Sequence, residues 1–485
     1  MILFQKKRRK GEGAVKEGIC KIGRVKPKRS SEIKSSRIGL GFEKLDRDAF
    51  DPERVYEKVN ESGVKWARIQ SGWEKTERVR GVYDFEWLDR VVDRFLSYKI
   101  TPWICLCYGN PLYTESAKKV FGSVGCPPIF TLEEKEAWRQ YVTAAALHFK
   151  GRVVYYEVWN EPDGQWCWRH GPNAEELGVF TRDTARYIHA AYPDAKVIGG
   201  SVCLRNPEYL NDALRTGMGK EIDYISYHEY TPDETKVLET VENYRALARQ
   251  YNPKLEIIQG ESGSQSRMGG RGALHTLAWT EEKQAKQLAR HTMADLISDV
   301  FFTSYFSCVD MAEAMGGIRG DKTTYRDFGY FGVLGMRFDE NGEAVGEYQY
   351  KKSYIALQTV CSVFADEWEK AAIPVMFFPK EVSPLTDTRE VERNRLITAS
   401  FRKKSGEAVV YWLPSDLLTT SVEGFTTVSI YTPYRRFSLI AMTDGSIYAL
   451  PAADITDLGG GMWQIENLPV ADYPLLLTMG EFYAE

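Results

Sequence analysis

The sequence predicts an α/β chain, a (β/α)8 TIM barrel with an appended antiparallel β-sandwich. Three observations predict it. Between residues 37 and 365, eight short runs rich in Val, Ile and Leu alternate with amphipathic stretches of helical period, as expected for parallel strands covered by helices. From about residue 366 the pattern changes to short β-rich runs divided by turn signals. At 485 residues the chain exceeds one ordinary domain and fits one barrel plus a smaller unit.

In order, the predicted barrel strands are 37–42, 64–70, 101–107, 152–159, 196–200, 222–228, 255–260 and 301–307. The helical patterns between them include 52–62, 84–97, 132–149, 174–191, 235–250 and 281–299, and a last helix at 348–365 closes the barrel. An open doubly wound sheet is the alternative, but it would carry a Gly-rich phosphate turn after its first strand. GLGFEKLDRD is not such a turn. The turns Lys404-Ser405-Gly406, Pro414-Ser415-Asp416, Asp444-Gly445 and Gly459-Gly460-Gly461 mark the sandwich. The expected divisions are a basic N-terminal segment at 1–36, adding an edge to the sandwich, the barrel at 37–365 and the sandwich at 366–485.

The net charge of −4 hides an asymmetry, with +10 on residues 1–37 and −14 on the rest. The basic run at 6–10 reads as a solvated tail or edge strand, or as a nucleic-acid patch. No finger spacing or RNP motif accompanies it, so no nucleic-acid partner is expected. No signal peptide and no apolar run near the ~20 residues of a membrane helix are visible. The eight cysteines are scattered, with Cys105 and Cys107 read as buried reduced thiols. A cytoplasmic protein without membrane contact is expected. No Cys/His cluster has zinc spacing, so neither metal nor organic cofactor is expected. A homo-oligomer is left open.

Residues 155–164 read YYEVWNEPDG. An apolar strand here ends in a carboxylate, and Pro162, which lacks an N–H, stops the ladder. On a parallel barrel such strand ends collect at one mouth. Glu161, half-buried beneath aromatics, is expected to have a raised pKa, suiting a general acid. Glycoside hydrolysis needs a second carboxylate, about 5–5.5 Å away for retention or about 6.5–9.5 Å for inversion. Glu261 ends the seventh strand, across the mouth from the fourth. Taken alone, it reads equally as a helix cap or turn acid.

Strand order places further residues at the mouth. Arg68 is a partner for Glu261 or a structural ion pair. Tyr108 and Asn110 end the third strand and are read as substrate-binding residues. His228 and Tyr230 end the sixth, where Tyr230 could donate to the nucleophile and His228 could equally be structural. Glu43 and Asp46 could bind sugar hydroxyls. Trp73, Trp166 and Trp168 could stack on a sugar ring or anchor loops.

At Val158-Trp159-Asn160-Glu161-Pro162 and Gly260-Glu261-Ser262 the sequence resembles clan A of the glycoside hydrolases. From Trp73-Glu74-Lys75 through Gly81-Val82-Tyr83-Asp84-Phe85 and Trp87-Leu88-Asp89 it is similar to the family 39 β-xylosidases and their relatives. The resemblance implies retaining double displacement with Glu161 as acid/base, Glu261 as nucleophile, Asn160 holding the sugar 2-hydroxyl, and His228 or Tyr230 supporting the nucleophile. Two departures stand out. No aromatic residue follows Glu261, and the eighth strand lacks the tryptophan common in the clan. The expected protein is a retaining β-glycosidase, xyloside-type or related, acting on short oligosaccharides or glycosides. Large loops after the third, fourth and seventh strands point to exo action. The alternative is a non-catalytic carbohydrate-binding barrel.

Overall fold

The computed structural model describes residues 19–340, 342–382, 396–418 and 423–483; the basic run at 6–10 lies outside them. The chain divides into two compact units, one of residues 26–367 and one of residues 19–25 together with those from Trp368 on.

In the first unit eight parallel strands close a barrel. They are β1 (Ile38–Gly41), β2 (Trp66–Gln70), β3 (Thr101–Leu106), β4 (Tyr155–Val158), β5 (Lys196–Val202), β6 (Tyr224–Glu229), β7 (Glu256–Ser262) and β8 (Thr303–Tyr305). The covering helices are α1 (Tyr56–Ser62), α2 (Glu86–Ser97), α3 (Leu132–His148), α4 (Ala174–Ala191), α5 (Pro207–Arg215), α6 (Thr235–Tyr251), α7 (Glu281–Ile297) and α8 (Lys352–Val363). In α2, Leu88, Val91, Val92 and Phe95 are buried, the spacing of one apolar helical face. Thr131 and Glu134 form a capping box at the start of α3.

The named sequence patterns include no helix between the fifth and sixth strands. There α5 begins on Asn206, whose side chain accepts from the Glu208 and Tyr209 N–H groups, with Pro207 in the first turn. The last helix starts at Lys352 rather than 348, because Ala344–Tyr350 pairs with Leu334–Phe338 as a hairpin. Among the described residues, no helix is long and apolar enough to cross a membrane.

The lower barrel interior is aromatic and aliphatic, with Trp66, Trp103, Tyr155, Ile198, Tyr224, Ile258 and Phe302 packed together. Trp66 and Phe302 stack with centroids 4.2 Å apart. Side chains two positions further along a strand share its face. Above this floor, therefore, come Arg68, Cys105, Glu157, Ser226 and Gly260, a layer of polar and small residues.

Two bulges then adjust the mouth. In β5, Gly200 pairs with Ser226 but Val202 with Tyr227, so Ser201 is an extra residue, at φ 52°. In β7, Gln259 pairs with Tyr227 but Glu261 with His228, so Gly260 is extra. Such an insertion re-aims the side chains beyond it. Gly260 is required by close approach, since a Cβ there would overlap Ser226 Oγ and lie 2.9 Å from His228 Nε2.

The second unit is an antiparallel sandwich. A seven-stranded sheet, with Cys20–Arg24 at one edge beside Ser446–Ala449, faces a four-stranded sheet of Val375–Val382, Glu423–Tyr431, Met462–Ala471 and Ile455–Gly459. Val409, Tyr411, Val428, Ile430, Leu439, Ile465 and Leu477 form its core.

Candidate active site

The stretch after β4 is held in an unusual shape. Trp159 and Glu161 both lie in the left-handed region, at φ 68° and 44°, which costs of order 1–3 kcal/mol per residue. Specific bonds hold it there. The Trp159 N–H donates to Leu106 O at 3.1 Å, and its indole N–H donates to Cys167 O at 2.7 Å. The Glu161 N–H donates to Ser201 O, in the β5 bulge, at 3.0 Å. The Glu161 side chain is thereby turned over the barrel mouth.

Arg68 is the hub beneath it and is fully buried. Its Nε donates to Glu157 Oε2 at 2.6 Å, its Nη1 to Glu261 Oε1, and its Nη2 to Asn160 Oδ1 at 2.9 Å. Ser201 Oγ donates to the other Glu157 oxygen at 2.7 Å. Tyr230 Oη donates to Glu261 Oε2 at 2.7 Å, so Glu261 carries a donor on each oxygen. His228 Nδ1 lies 3.2 Å from Glu161 Oε1 and 3.8 Å from Glu261 Oε2, and its Nε2 lies 3.8 Å from Glu157 Oε1. Trp166, 39% exposed, donates its indole N–H to Glu161 Oε2 at 2.5 Å.

These neighbours decide the protonation states. Burial works against charge on His228, but Glu261, Glu157 and Glu161 outweigh it and raise its pKa to about 10. His228 is therefore an imidazolium at neutral pH. Burial likewise works against the Glu161 carboxylate, but His228 and the Trp166 N–H offset it and hold its pKa below the usual value. The expectation of a raised pKa at Glu161 is thus corrected, because the charged partner wins over burial. Glu157 is also held well below the carboxylate range, with Arg68 and His228 overcoming burial.

The structure separates the remaining sequence candidates. Tyr108 is buried and its hydroxyl accepts from Gln70 Nε2 at 3.3 Å, placing it beside the mouth. Asp46 pairs with Arg47 at 3.2 Å. Trp73 is fully buried with both ring faces covered, stacked against Tyr113 and Tyr141 at 5.6 and 5.4 Å. Trp168 is also fully buried, edge-on to Trp159. Asn110 donates to Glu77 O at 2.9 Å and accepts from the Leu112 N–H. These three are anchors of the loops behind the mouth, and the expectation that they meet the sugar is corrected: no indole face is free, and the Asn110 amide is spent on backbone.

The sequence reading passed over Glu157, although an acid inside an apolar strand was the available signal. It also passed over Lys44 and Glu313, a buried ion pair at 3.2 Å. At the end of β8, where the clan's tryptophan is missing, stands Phe306, its ring centroid 5.3 Å from that of Phe331 and 6.4 Å from that of Tyr230.

Glu161, His228 and Glu261 each bring one donor atom within 4.8 Å of the others, a spacing that could ligate a cation. Arg68 and the imidazolium put two fixed positive charges in the same cluster, and these oppose one. The spacing is instead that of two carboxylates facing a common centre.

A parallel barrel with paired carboxylates near the ends of its fourth and seventh strands resembles the clan A glycoside hydrolases. More particularly, the chain resembles family 39. Residues 50–257 match the family model described as glycosyl hydrolases family 39. A curated β-xylosidase of Geobacillus stearothermophilus is 26% identical over 221 residues, 41% of this chain and 42% of that protein. The chain thus spans less than half the length of the curated relative it matches. Among solved structures, a monomeric β-xylosidase from Caulobacter crescentus CB15 superposes with a TM-score of 0.60 at 15% identity, covering 94% of this chain and 98% of that one. A GH39 enzyme from Xanthomonas axonopodis pv. citri does so with 0.56 at 16% identity, covering 92% and 94%.

Proposed function

We propose that the protein is a retaining β-glycosidase acting on β-xylosides or related glycosides. The observation that carries the reading is the approach of Glu161 and Glu261 to within 4.8 Å at their nearest oxygens, which is closer to the retaining separation of about 5–5.5 Å than to the inverting one of about 6.5–9.5 Å.

In the first step Glu261 attacks the anomeric carbon while Glu161 gives its proton to the leaving oxygen. A covalent glycosyl-enzyme forms and the aglycone departs. In the second step Glu161, now a base, takes a proton from water, and the resulting hydroxide displaces Glu261 to release the sugar with its configuration retained. Arg68 and Tyr230 keep Glu261 oriented with its charge exposed to C1. Asn160, fixed by Arg68, faces the 2-hydroxyl. Trp166 stands on the leaving-group side. Glu161 is ionised in the ligand-free site, and a sugar that excludes water raises its pKa toward the acid role.

The test is Glu161→Ala and Glu261→Gln assayed on aryl β-glycosides. Both should lose turnover by orders of magnitude with unchanged folding, and azide should rescue Glu161→Ala to a β-glycosyl azide. Near wild-type hydrolysis by both variants would end the assignment.

A further inference from the structure

Glu43 follows β1 directly and is 1% exposed, yet neither of its carboxyl oxygens has a hydrogen-bond partner in another residue. Its nearest cation, Arg68 Nη1, is 3.6 Å away and already serves Glu261. A buried acid left without donors is costly, so a strand end that carries one is built to receive donors from elsewhere. The backbone makes room for it. The carboxylate folds back over Gly41, and a Cβ at 41 would overlap both oxygens.

Its position says which donors. The charged groups that act on Glu43 are Glu261, Arg68 and Glu157, while Trp166 flanks Glu161. With the anomeric carbon between Glu161 and Glu261 and the leaving group toward Trp166, Glu43, which shares Arg68 Nη1 with Glu261, stands on the side left for the sugar ring.

The surrounding charges say what kind of sugar. Lys44 is paired with Glu313 at 3.2 Å, Arg47 with Asp46 at 3.2 Å, and Arg68 is saturated. None of these three cations is left over for a sugar carboxylate. Asp46 Oδ1 and Glu313 Oε1 are, like Glu43, acceptors without a donor. Burial, then the charge of Glu261, pushes the Glu43 pKa up to about 8, so near neutral pH it can both give and accept a hydrogen bond.

Building on the glycosidase reading, we infer that Glu43 is a specificity-determining residue that binds the hydroxyls on C3 and C4 of a neutral aldopyranoside and disfavours deoxygenated and uronic glycones.

The test is a cycle of kcat/KM values for wild type, Glu43→Ala and Glu43→Gln on 4-nitrophenyl β-xyloside, its 3-deoxy and 4-deoxy analogues, and the β-glucuronide. Glu43→Ala should lose about 10- to 100-fold on the parent, the worth of a lost hydrogen bond to an acid, and much less on the deoxy analogues. Glu43→Gln, a mimic of the protonated acid, should recover most of the loss, and the glucuronide should be the poorest wild-type substrate. Equal losses on parent and deoxy sugars would overturn the inference, showing that Glu43 acts only through Arg68, and so would preference for the glucuronide. Calorimetric binding of xylose and its deoxy forms to the same variants reads the contact without chemistry. If no glycoside is hydrolysed but the deoxy pattern appears in binding, the glycosidase reading fails and the Glu43 inference stands.

Discussion

Replacing His228 with glutamine tests the electrostatics of the site most directly. The substitution keeps a neutral donor near Glu161 and removes a unit charge 3.2 Å from its oxygen. At that distance an effective dielectric of 20 gives about 5 kcal/mol, and bulk water gives about 1.3 kcal/mol. With 1.36 kcal/mol per pKa unit, the Glu161 pKa should rise by about 1 to 4 units. The sign follows from what remains: without the imidazolium, burial dominates and favours the neutral acid. Because kcat/KM reports the free enzyme, its fall at rising pH should start at higher pH in His228→Gln. In wild type the fall should already begin below the ordinary carboxylate range. The assay is kcat/KM from pH 4 to 9 on an aryl β-xyloside with a poor leaving group, which needs the acid. A profile that does not move in a folded variant would refute the claim that His228 holds Glu161 ionised.

Other outcomes follow from neighbouring contacts. The His228 pKa is raised in the folded state to about 10, so its contribution to stability is complete below pH 6.5 and lost as pH rises through 10; urea melts across that window should slope in wild type and flatten in His228→Gln. Arg68→Met leaves Glu157 and Glu261 without their shared cation and should cost about 3–5 kcal/mol, read as a lowered urea midpoint together with lost turnover. Trp73→Phe removes the indole bond to Glu77 and should cost about 1–3 kcal/mol in melts with KM unchanged, whereas a sugar platform would move KM.

Much of the fold was legible because parallel barrel strands are buried on both faces and so read as apolar runs. Strands expected at 101–107 and 255–260 appear as Thr101–Leu106 and Glu256–Ser262. The polar turn at Asn160 and Glu161 and the acid at Glu261 were legible for the same reason, since polar residues interrupt those apolar runs abruptly. The choice between sugar platform and loop anchor was not legible for the tryptophans, because sequence shows a residue in a loop but not which way the loop folds. Trp73 and Trp168 turn inward, while Trp166 alone turns to the mouth. The ionisation of Glu161 was not legible, because it depends on His228 from another strand. Glu157 was passed over because its partners, Arg68 and Ser201, come from strands distant in the sequence.

The extra residues in β5 and β7 carry a lesson for anyone wishing to move this chemistry elsewhere. Ser201 supplies the carbonyl that anchors Glu161, and Gly260 brings Glu261 level with His228. Grafting the Asn-Glu-Pro motif and a matching glutamate onto an evenly paired barrel would leave the second acid one residue out of phase. A successful transplant has to carry both irregularities along with the side chains.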